Sequence, residues 1–199
     1  HMLGRFLGGV FIAIAHKLDV IRFLDMLNPG QSREEALVEA SSVAYLCFHM
    51  SRAHWVHPPY WRSTGTGGIS RERMEISAFY HSKAITYVET ACEYARNIAS
   101  SDDHWRERQI YVVNQRLYYL VEEGLESRIN DIENAYDELV GYRDSAGGLW
   151  RSTYWDTLAR YWAFLAYRSK NESQWQGYMD EANNAFKEAI PAGKFESEV

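Results

Sequence analysis

The chain has 199 residues, with 27 acidic and 21 basic side chains and a formal net charge of −6. A chain near this size buries roughly 70% of the surface its unfolded form exposes, so a real core forms without staples. Arg71, Arg73, Arg106 and Arg108 alternate with Glu72, Glu75 and Glu107, which argues against a nucleic-acid backbone as the main ligand, since that needs clustered, uncompensated bases. Cys47 and Cys92 each sit inside an apolar helical pattern, which argues against a disulfide framework and fits reduced thiols in a cytoplasmic protein.

His1 and Met2 read as the remnant of a cleaved tag. The opening stretch mimics a secretory signal through Arg5, its apolar run and Ala13–Ala15, yet Leu3, Leu7, Val10, Ile14, Leu18, Ile21 and Leu24 keep a helical stripe past that point. Such a stripe marks a packed amphipathic helix, and the charges that interrupt it keep it from spanning a bilayer. Asn28, Pro29 and Gly30 end this helix, and Ser32 to Glu35 is a capping box opening a second, in which serine and glutamate satisfy each other's backbone donors. The second helix runs to about Trp55, where Pro58 and Pro59 remove donors and fix dihedrals.

After the loop "WRSTGTGGIS", which lacks the lysine and the preceding strand of a phosphate cradle, a third helix spans about Ser70 to Ala99. Asp103 can cap a fourth, Gly124 breaks it, "DSAGG" ends a fifth, and "KNES" separates the sixth from the seventh, which Pro191 stops. The expected fold is therefore all-α, with about seven helices and connections short enough to favour antiparallel neighbours.

The last four of these helices repeat a pattern. Trp155, Leu158, Ala159, Trp162 and Ala166 have the same spacings as Val113, Arg116, Leu117, Leu120 and Gly124, while Ile132, Tyr136 and Leu139 fall opposite Ala182, Phe186 and Ala189. The unit helix, turn, helix, written twice over roughly Tyr111 to Pro191, resembles the tetratricopeptide repeat, with W-x2-L-G-x2-Y on its first helix and A-x3-F-x2-A on its second. Arg116 departs from the leucine expected there, the second hairpin carries about eight extra residues around "NESQWQG", and both helices of each pair run longer than a standard 34-residue unit allows. "AITYVETA" at Ala84 to Ala91 offers the second-helix pattern again, but inside one long helix.

The resemblance implies two hairpins over residues 101–191, stacked on an N-terminal helical cap over residues 1–100, with residues 192–199 as a frayed tail. It also implies a concave groove lined by Tyr111, Asn114, Tyr118 and Glu122 from one first helix and Asp156, Arg160 and Phe164 from the next. The expected function is non-catalytic binding of a protein or peptide, without cofactor, nucleic acid or membrane. Repeat arrays of this kind often form the sensing or scaffolding arm of a larger signalling protein, and the abrupt start of the first helix would suit an excised fragment.

Two other classes compete. One is a helical metal- or small-ligand-binding enzyme using His49, His54, His57 and His81. His49 and His54, five residues apart, point about 140° from each other on a helix, and no glutamate completes an E-x-x-H motif. The other is an immunity-type or self-associating protein that covers a charged partner surface.

Overall fold

The computed structural model describes residues 32–53, 71–98, 103–145 and 151–190. Six α-helices occur among them: α1 (Arg33–Ala53), α2 (Arg71–Arg96), α3 (Asp103–Glu123), α4 (Ile129–Val140), α5 (Arg151–Arg168) and α6 (Glu172–Ala189). Short 3-10 turns at Glu126–Arg128 and Arg143–Ser145 precede α4 and follow it, and the described residues contain no strand. These helices match the second to seventh expected from the periodicity. The helix expected over residues 3–27, the proline-containing loop and the tail lie outside the described residues.

Local chemistry sets the helix ends. The backbone N–H of Glu35 donates to Ser32 Oγ at 3.2 Å and that of Ser32 to Glu35 Oε2 at 3.1 Å, which is the reciprocal capping box. Gly124 ends α3 with φ 65° while its N–H reaches the Leu120 carbonyl at 3.1 Å, a left-handed conformation that glycine adopts without a Cβ penalty. Asn171 caps α6 by accepting from the N–H groups of Ser173 and Gln174, which satisfies donors with no partner inside the helix.

The described residues fall into two compact units, the first holding α1 and α2 and the second α3 to α6. In the first unit, α1 and α2 run antiparallel: Arg33 donates to the Asn97 carbonyl at one end, and Ser77 donates to the Ser51 carbonyl at the other. Ala84, Val88 and Ala91, the second-helix pattern noted in the sequence, are fully buried together with Leu37 and Ala44 of α1. Small side chains at these places let the two backbones come close, while Leu37, Ile85 and Phe48 fill the remaining space.

In the second unit α3 packs against α4 and against α5, and α5 packs against α6. The two hairpins are antiparallel, as Arg151–Glu188 and the Trp162–Tyr178 ring stack show for α5 and α6. Helices α3 and α5 run in the same sense, since Glu122 meets Arg160 and Glu126, just beyond α3, meets Arg168. Arg116, the departure from the repeat pattern, forms an ion pair with Glu138 of α4 at 3.1 Å, with both side chains largely buried. A charge-assisted contact across the hairpin thus replaces the apolar one that leucine would make.

The tryptophan-bearing face of α5 expected from the repeat spacing is only partly the buried one. Leu158 is buried, but Trp155 and Trp162 are half-buried, and the fully enclosed rings are Tyr154, Tyr161 and Phe164. Ala159 and Ala166 of the same spacing set are buried as well, so burial on α5 extends beyond that face rather than replacing it. A helix with neighbours on several sides buries more than one stripe, and α5 touches α3, α6 and, through Tyr161 and Trp162, the Tyr136 ring of α4.

Candidate partner-binding face and groove

Residues 111, 114, 118 and 122 recur at helical spacing along one face of α3, and the last two meet α5. Arg160 is the junction. Its Nη1 donates to Glu122 Oε1 at 3.0 Å and its Nε to Asp156 Oδ2 at 2.9 Å. Its guanidinium carbon lies 5.2 Å from the centre of the Tyr118 ring, within reach of a cation–π attraction. Burial opposes the charge on Arg160, but the Asp156 hydrogen bond and the charges of Asp156, Tyr118 and Glu122 more than offset it and raise its pKa.

Exposure differs sharply within this cluster. The Glu122 side chain is 6% exposed, while those of Arg160 and Asp156 are 37% and 42% exposed. Glu122 therefore acts as an internal anchor for Arg160, and Asp156 presents the solvent side. Asn114 is buried, and its Oδ1 accepts no hydrogen bond among the described residues. Tyr111 is half-buried and its hydroxyl accepts from Gln115 at 2.6 Å. Phe164 is buried, with the Arg168 guanidinium 5.3 Å from its ring centre. Of the seven residues singled out in the sequence, Tyr118, Glu122, Asp156 and Arg160 come together, and Phe164 adjoins them one turn along α5 from Arg160.

A groove of about 480 Å³ opens beside this cluster, between α5 and α6. Asp156 and Arg160 form one end and Tyr167 and Trp175 the other, with Ala163 and Met179 along the length. Tyr167, Trp175 and Phe186 are all exposed large rings on this one surface. The groove walls contributed by α6 are not among the residues that the repeat resemblance singles out. The available signal was the spacing of Trp175, Met179, Ala182 and Phe186, alternately four and three residues, which is an apolar stripe on a single helix face.

Among the described residues the histidines form no comparable centre. His49 is exposed with its ring 4.2 Å from that of Tyr45, and His81 lies 5.6 Å from Phe48, while His54 and His57 lie outside the described residues. Partial burial and the nearby Arg52 charge lower the His49 pKa. Among the described residues no group of three potential metal ligands occurs, and none of the helices is long and apolar enough to cross a membrane. Burial pushes the Cys47 thiol up to about 11 despite the Lys83 charge, which leaves almost no nucleophilic thiolate near neutral pH. No family model, curated protein or solved structure matches the chain.

Proposed function

We propose that the second unit is a pair of tetratricopeptide-like hairpins that binds a protein or peptide segment on the face shared by its first helices, α3 and α5, without catalysis. The observation carrying this reading is Arg160, which links Tyr118 and Glu122 of α3 to Asp156 of its own helix. Equivalent first helices run in the same sense and meet along one face, as stacked hairpins require. The Tyr136 ring of the first hairpin lies flat on Tyr161 of the second at 4.1 Å, which supports the same stacking.

The surface suits a peptide. Tyr118 offers an amphipathic ring held in place by a guanidinium, Asp156 offers a half-exposed carboxylate, and aromatic and arginine side chains dominate binding hot spots. The test is to combine Tyr118→Ala with Asp156→Ala, leaving the buried Asn114 and the anchored Arg160 intact. Affinity for a partner isolated with the wild-type protein is then measured alongside thermal melts. Loss of roughly tenfold or more in affinity with the melt retained supports the face; unchanged affinity moves the binding surface elsewhere.

A further inference from the structure

We infer that the groove between α5 and α6 is a docking site for an amphipathic α-helix of a partner protein. This inference rests on the hairpin-repeat reading above and deepens it. In the first hairpin, the surface that receives α5 includes Tyr118 and Glu122 of α3 and Tyr136 of α4. The repeat spacing makes Arg160, Phe164 and Phe186 their counterparts in the second hairpin. All three line the groove. The surface that holds a helix in one hairpin is thus present in the next, where Phe164 is the buried floor and Phe186 is 53% exposed.

The chemistry of the walls selects a helix over an extended segment. Between its polar end and Tyr167 the groove presents Ala159, Ala163, Met179 and Ala182, and the wall helices spend their backbone groups on their own hydrogen bonds. An extended peptide laid there would leave its N–H and C=O groups facing apolar side chains, each buried without a hydrogen-bond partner. A helix satisfies those groups internally and presents only side chains. The wall from Asp156 to Tyr167 spans about 16 Å at 1.5 Å per residue, or three helical turns.

The polar end sets the charge of the occupant. Glu122 and Asp156 share one guanidinium, which leaves an excess negative charge, and the second oxygen of Asp156 is not used by Arg160. A partner helix places its N-terminal turn there, where the positive end of its dipole and a lysine or arginine meet Asp156. Its apolar residues follow at i, i+4 and i+7 along the groove, with the bulkiest against the exposed rings.

The experiment selects peptides on the immobilised full chain from two display libraries of the same composition, about 15 residues long, one patterned with helical period and one with period two. Helical-period peptides bearing a base in the first turn should be enriched. A synthetic copy of one, followed by fluorescence anisotropy, should bind Ala163→Glu and Phe186→Lys roughly tenfold or more weakly than wild type. Both positions are exposed, so both variants should stay folded, Ala163→Glu with an unchanged melt and Phe186→Lys with a modestly lower one, and circular dichroism of each variant checks this. Enrichment of period-two peptides, or of none, overturns the inference. So does a concentration-dependent mass that Ala163→Glu abolishes, since the occupant is then a second copy. Helical peptides that bind Ala163→Glu normally but lose affinity for Tyr118→Ala remove the groove while leaving the shared α3–α5 face standing.

Discussion

Tyr136→Ala and Phe186→Ala remove rings from positions that the sequence spacing matches in the two hairpins and should have unequal costs. Tyr136 is half-buried, stacked on Tyr161 at 4.1 Å and 15°, and set edge-on to Trp162 at 5.3 Å. If roughly 100 Å² of its ring is withdrawn from water, the transfer contribution at 25 cal/mol per Å² is about 2.5 kcal/mol. The stack adds about 1 kcal/mol, so Tyr136→Ala should lose about 3.5 kcal/mol. Phe186 is 53% exposed; with roughly 60 Å² withdrawn, its loss should be about 1.5 kcal/mol. Urea denaturation with an unchanged slope reads the midpoint shift as this difference of about 2 kcal/mol. Equal losses would refute the reasoning, because they would mean that the second-helix ring does not owe its burial to the hairpin that follows.

Two further outcomes follow from buried groups. Burial raises the hydroxyl pKa of Tyr80, Tyr136, Tyr154 and, most strongly, Tyr161. Below the ordinary value of about 10 both folded and unfolded states keep these protons, and above it the unfolded chain ionises first. Stability should therefore fall as pH rises past about 10, and phenolate absorbance from these rings should appear only with loss of the helical signal; ionisation ahead of unfolding would contradict it. Cys47, with its thiol raised to about 11, should be alkylated by iodoacetamide at neutral pH only as fast as the first unit opens, so its labelling should accelerate with added denaturant; rapid labelling of the folded chain would disprove the burial.

The helices were legible because their signals are local. The Ser32–Glu35 box, Gly124 and the Asn171 cap each act within about one turn of the chain, and the period of apolar residues follows from 3.6 residues per turn wherever one face is buried. Which rings of α5 are enclosed was not legible. That helix carries aromatic side chains at Tyr154, Trp155, Tyr161, Trp162 and Phe164, so several stripes compete, and its neighbours α3, α4 and α6 decide which rings are enclosed. Arg116 reads in the sequence as a break in a pattern, and only folding brings it to Glu138, 22 positions away. The candidate site divides in the same way. The spacing of Tyr118 with Glu122 and of Asp156 with Arg160 places each pair on one face of its own helix, but their meeting depends on α3 and α5 lying side by side, and the α6 wall of the groove depends on the antiparallel turn at Asn171. Tyr136 and Phe186 occupy the same place in the same local pattern, yet one is stacked and the other exposed. The pattern records how a hairpin closes on itself, whereas burial of its outer ring depends on what packs against that hairpin next, a long-range fact that no local periodicity contains.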